Sequence, residues 1–157
     1  MKRLLGIIVF SIVALGALGV AVAAQAGDPA RHGGGARSFT VIEHATTDAT
    51  TDTGAQGDSA GDVLTFANEV FDRTDARRVG TDQGYCIRVV PGTSYECNWT
   101  TFLAGGQIVV EGPFYDAKDS TLAVTGGTGR FRRARGTMDL HALKNGTKFA
   151  FAFHLSR

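Results

Sequence analysis

The sequence predicts an all-β domain, an eight-stranded antiparallel up-and-down β-barrel. Short runs of β-forming residues recur through residues 38–155 with turn signals between them. No window sustains the 3.6-residue apolar period of a helix. Most connections are short, and eight strands joined in order can close into a barrel without free edges.

Taken in order, the strands are expected near 38–45, 63–71, 79–90, 94–103, 106–113, 120–125, 134–142 and 148–155. Turns are expected at 72–75, Pro91-Gly92-Thr93, Gly105-Gly106, 116–119, 126–129 and Asn145-Gly146. Asn-Gly is a type I′ hairpin signal, because both central positions need positive φ. Residues 46–62, TTDATTDTGAQGDSAGD, contain no large apolar side chain and read as a long surface loop able to cap an opening. The last strand puts Phe149, Phe151, Phe153 and Leu155 on one face, either as packing or as an oligomer surface on the outer wall.

Ahead of the barrel stands an export signal. Lys2 and Arg3 precede an uncharged apolar run over 4–22, and Ala24-Gln25-Ala26 forms a small-residue cleavage site before Gly27. The domain reading is therefore signal peptide 1–26, flexible tether 27–37 and barrel 38–157, with a secreted product. Retention of the run as an anchor is the alternative. Of 16 Lys and Arg, removal of Lys2 and Arg3 leaves 14 against 15 acidic residues, a net charge of −1. That balance recommends neither nucleic acid nor, after cleavage, a membrane as partner.

Cys86 and Cys97 stand equally far from the centre of the Pro91-Gly92 turn, so a hairpin there brings them face to face. Outside the cytoplasm such a pair is expected to be a disulfide, with two buried thiols as the alternative. Side chains alternate along a strand, so Arg88, Tyr95, Trp99, Thr101 and Leu103 share the cysteine face. An even turn at 104–106 adds Ile108, Val110 and Phe114, whereas a bulge there would reverse the later strands. This face carries the only tryptophan and is taken as the interior.

Several blocks, GDVLTFANEVFD (61–72), GTDQGYCIRV (80–89), VEGPFYDAKDSTLAVTGGTGRFRRARG (110–136) and the closing FAFAFHL, resemble the allene oxide cyclase barrel and its dirigent relatives. The resemblance implies an eight-stranded barrel with a hydrophobic cavity, commonly trimeric, and hence a homo-oligomer. Plant members cyclise an unsaturated fatty-acid epoxide or steer the coupling of phenoxy radicals. Glu43 matches the cavity glutamate of the cyclases, but Ala45 stands at the asparagine of their Glu-x-Asn pattern. Cys86 matches their cavity cysteine, and Phe114 replaces a pocket tyrosine. These departures argue against the cyclase reaction itself, and a disulfide would remove the thiol.

Glu43 is the candidate catalytic residue, on the face of Phe39 and Val41, where an apolar setting raises a carboxyl pKa. The other reading pairs it with Arg88 or another arginine. Asp62 and Asp82 are further acidic candidates, and Val41, Trp99, Val110 and Phe114 are the expected ligand contacts. His44 should face the outer wall. No His, Cys or Asp spacing resembles a metal site, and no metal or cofactor is expected. The loop Gly126-Gly127-Thr128-Gly129 lacks the Lys and helix start of a phosphate cradle and reads as a tight turn. The neighbouring Arg130, Arg132, Arg133 and Arg135 read as a solvated hairpin or an oligomer salt-bridge patch.

The expected function is a secreted barrel that binds a small apolar or phenolic molecule and assists its cyclisation, isomerisation or stereoselective coupling. A non-catalytic, lipocalin-like carrier is the principal alternative, and a packed structural module is a third.

Overall fold

A computed structural model describes residues 37–156. The expected signal peptide and nearly all of the tether lie outside the described residues. The strands are β1 (Arg37–His44), β2 (Ala49–Thr51), β3 (Val63–Phe66), β4 (Glu69–Asp72), β5 (Arg78–Val90), β6 (Ser94–Leu103), β7 (Gly106–Tyr115), β8 (Ser120–Gly127), β9 (Arg135–Leu143) and β10 (Lys148–Ser156). The helical content among the described residues is two single 3-10 turns, Gly129–Phe131 and Lys144–Gly146.

Every pairing is antiparallel, and the ladder closes on itself through β1–β10 at one seam and β5–β6 along the longest hairpin. Both β3 and β4 pair with β5, so they are two halves of one stave, and the closed barrel has eight. The expected strand 63–71 is interrupted at Ala67 because the loop competes for its backbone: the Ala67 N–H donates to the Thr47 hydroxyl at 2.8 Å. The 46–62 segment contributes β2, which pairs with β3 alone.

The cysteine face is the interior. Cys86 opposes Cys97 across the β5–β6 hairpin, and the two form a disulfide with Cα atoms 4.0 Å apart. The two-residue connection 104–105 preserves the alternation, so Trp99 opposes Val110 and Thr101 opposes Ile108. The bulge falls later, between β7 and β8, where Val109 pairs with Gly126 and Val110 with Val124.

The Phe149–Leu155 stripe turns inward and is not an outer-wall surface. Phe151 and Phe153 are buried, with Phe153 stacked on Phe39 at 5.0 Å and Phe151 against Trp99 at 5.4 Å. An eight-stranded barrel has an interior that large side chains can fill, and rings from adjacent staves fill it here.

Two turns differ from expectation. Gly126 and Gly127 continue β8, and the reversal is the 3-10 turn after Thr128. The Asn145-Gly146 connection holds four residues, with Lys144, Asn145 and Gly146 all at positive φ.

Candidate functional site

One end of the barrel carries the carboxyl ends of β1, β5, β7 and β9 and the loops that follow them. Here Glu43, Asp48, Leu64, Phe66, the Cys86–Cys97 bridge, Trp99, Phe114, Leu140, Phe149 and Phe151 line a mouth pocket. Its cavity is about 40 Å³. That volume suits roughly three waters, against the several hundred Å³ usual for a ligand site.

Glu43 lies on β1 between Val41 and Ala45, opposite Phe149 of β10 and Val70 of β4. Its side chain is buried at 5 % exposure. Its Oε1 accepts a hydrogen bond from Asn68 Nδ2 at 2.8 Å, and the Asp82 carboxyl lies within hydrogen-bonding reach of its own. Asp82 of β5, also buried, is bound to the same Asn68 through the backbone. Asp82 Oδ1 accepts from the Asn68 N–H at 3.3 Å, while Oδ2 has no partner.

Burial pushes the Glu43 carboxyl up to about 9, the charges of Asp82 and Asp48 add to the rise, and the Asn68 hydrogen bond opposes it. Burial also raises Asp82. Two adjacent carboxyls removed from water cannot both ionise cheaply, so the pair retains a proton at neutral pH. This is the setting in which one carboxyl donates a proton and its neighbour receives one.

Asn68 is the hub of the site. Its amide donates to Glu43 and to Asp48 of the loop, each at 2.8 Å, and its Oδ1 accepts from the Thr46 and Thr47 backbone and from the Thr47 hydroxyl, each at 3.0 Å. One side chain thus pins the start of the mouth loop and orients the buried glutamate. Further along the loop, Asp58 forms an ion pair with Arg88 at 2.7 Å.

The candidates separate clearly. Glu43, Trp99 and Phe114 meet at the pocket. Val41 and Val110 face inward as expected, buried directly opposite Phe151 and Trp99, and are not among the residues that line the pocket. Arg88 does not pair with Glu43. Its guanidinium binds Asp58 and Asp116 and stacks over Tyr95 at 3.6 Å, which leaves Glu43 without a cation. Asp62 shapes the loop instead: it accepts the Thr53 and Ser59 N–H groups, which hold its carboxyl below the usual range. Asp82 does join Glu43. His44 faces outward, stacked on Phe71 and bonded to Asp75.

Asn68 was missed, although a signal was available. It shares the parity of Leu64, Phe66 and Val70, so an amide interrupts an otherwise apolar inward face. Among the described residues no three His, Cys, Asp or Glu side chains are grouped as a metal ion would require.

A closed antiparallel barrel with an ionisable, aromatic-lined mouth defines a class of barrel proteins, and comparison with known families places this chain within it. Residues 41–157 match the allene oxide cyclase family model, and the chain belongs to that family. Among solved structures it is similar to a pyocyanin demethylase (24 % identity, TM-score 0.68, covering 76 % of this chain and all of that one). It is also similar to AbnU, an exo-specific intermolecular Diels-Alderase (14 %, 0.63, 78 % and 98 %). A pterocarpan synthase dirigent protein is a third (13 %, 0.61, 76 % and 82 %). At these identities the likeness is one of fold.

Proposed function

We propose that the barrel binds a small apolar or aromatic molecule at the Glu43 mouth and assists a cyclisation, isomerisation or coupling by moving a proton. The observation that carries this reading is the buried Glu43–Asp82 pair, oriented by Asn68 and opening onto aromatic rings. The Glu43 carboxyl is the group from which a proton would pass to substrate or to which it would return. Aromatic faces at Trp99, Phe114 and Phe149 would hold a flat ligand by stacking. The catalysed reactions named for the similar Diels-Alderase and dirigent barrels lend support.

The small cavity weighs against any ligand enclosed inside the barrel, catalysed or carried, and fits the packed structural module as well; in the proposed function the ligand sits at the mouth, with residues 46–48 displaced. Export after cleavage at residue 26 accords with the disulfide, and assembly into a homo-oligomer, a trimer by family resemblance, is testable by native mass spectrometry.

Ligand identification on protein purified from its own source, followed by turnover with Glu43→Gln, tests the function. Loss of turnover with retained binding supports proton transfer. Full turnover in Glu43→Gln would rule out the proton-transfer role of Glu43.

A further inference from the structure

We propose that the mouth pocket takes an aromatic ligand that carries a carbonyl oxygen, and that this oxygen accepts a hydrogen bond from the indole N–H of Trp99. This rests on the mouth being a ligand site, as proposed above, and adds the chemical class of the ligand and the end by which it is held.

Trp99 lines the pocket and is 3 % exposed, and its Nε1 has no hydrogen-bond partner among the described residues. A buried indole N–H ordinarily finds an acceptor, and leaving it without one costs stability. The buried oxygens of Asp82 and Thr101 that also lack partners belong to residues outside the pocket lining.

The wall around the indole does not supply the acceptor. Its other side chains are aliphatic, aromatic or sulfur-bearing, apart from Glu43 and Asp48. Both of those carboxyls accept from Asn68 Nδ2 at 2.8 Å, and neither takes the indole N–H. The Phe66 ring stands edge-on to the indole at 6.0 Å between centroids, and a ring face is at best a weak acceptor. Trp99 is also the one lining residue whose side chain bears an N–H.

The donor is held in place by packing. Trp99 lies opposite Gly84 of β5, where an added Cβ would stand 2.2 Å from the Trp99 Cβ, so a glycine is needed for this approach. Phe66 on one side and Phe151, 5.4 Å away, on another complete the support. A group already fixed loses little freedom on binding, so its hydrogen bond is kept as affinity.

These parts define the ligand. The rings of Phe66, Phe114, Phe149 and Phe151 call for a flat apolar body, and the single N–H calls for one acceptor. A carbonyl accepts through two lone pairs and brings no donor of its own for an apolar wall to leave unpaired. Trp99 and Glu43 line the same pocket, so an oxygen held at Trp99 fixes which part of the ligand meets the Glu43 carboxyl.

The test uses two probes of nearly the same shape, acetophenone and α-methylstyrene, in which C=O is replaced by C=CH2. Each is titrated by calorimetry, and the indole N–H is followed by proton–nitrogen correlation NMR on 15N-labelled protein. The chain has one tryptophan, so that spectrum holds a single indole signal. Acetophenone should bind about threefold to tenfold more tightly, the worth of one hydrogen bond, and should move the indole proton downfield. α-Methylstyrene should leave the indole proton without that downfield shift. Trp99→Phe keeps a ring and removes the N–H, so calorimetry on it should find the two probes equal. The NMR comparison on the unaltered protein stands by itself if the variant does not fold. Equal affinities, an indole proton that acetophenone does not move downfield, or an acetophenone preference kept in Trp99→Phe each overturns the Trp99 assignment and leaves the mouth as a ligand site. Absence of binding by both probes overturns that reading as well.

Discussion

The barrel interior has two halves built by the same strands and the same inward face, yet they are made of different materials. In the half away from the mouth, Ile108, Met138 and Phe153 are fully buried and wholly apolar. At the mouth, the same staves present Glu43, Asp82 and Asn68 among rings, with polar atoms of Asp82 and Trp99 lacking partners. Unpaired buried polar groups cost stability, so the mouth is held in place by the rest of the molecule. The difference teaches where stability and chemistry lie along one barrel axis.

The largest expected effect breaks the packed half. Phe153→Ala removes a ring stacked on Phe39 and should cost ~3–5 kcal/mol, read from urea unfolding. A loss below about 1 kcal/mol would mean the packed half is not the source of stability. Next, replacing both Cys86 and Cys97 by Ala opens an 11-residue loop and should cost ~3 kcal/mol by the same measurement.

Asn68→Ala should cost ~1–3 kcal/mol by leaving the Glu43 and loop groups without partners. Its sharper signature is local. Hydrogen exchange of the Thr46 and Thr47 amides, which donate to Asn68, should quicken more than exchange in β7. Uniform quickening would assign Asn68 a purely global role.

The smallest effect distinguishes the halves by pH. A carboxyl whose folded pKa stands above its unfolded value binds more protons when folded, so its contribution to stability is lost as pH rises. For Glu43 the window runs from its ordinary 4.5 up to about 9. Melting temperature should fall across that window, and Glu43→Gln should flatten the fall. An unchanged slope in the variant would show that Glu43 is not the group responsible.

Much of this was legible in the sequence. The antiparallel barrel followed from period-two runs and turn spacing, and the cysteine pair set the inward parity that the β5, β6 and β7 pairings carry. Parity assigns a face but not a height along the barrel axis. The inward face of Val41 and Val110 was therefore legible, whereas which inward residues line the pocket depends on strand stagger and on how β1 closes against β10. Asp82 was inward by its distance from Cys86, yet only the Asn68 backbone pairing shows that it lies beside Glu43. The hub role of Asn68 was hidden because its partners come from a loop without periodicity. Cavity size was hidden because it depends on how Phe149 and Phe151 fill the bore.

The central claim is that Glu43 keeps its proton at neutral pH because it is buried beside Asp82. Carbon-13 NMR of the Glu43 side-chain carboxyl, titrated from pH 3 to pH 10 and assigned by comparison with Glu43→Gln, measures this directly. A midpoint well above neutral, towards 9, is predicted, and a midpoint near the ordinary 4.5 would contradict it.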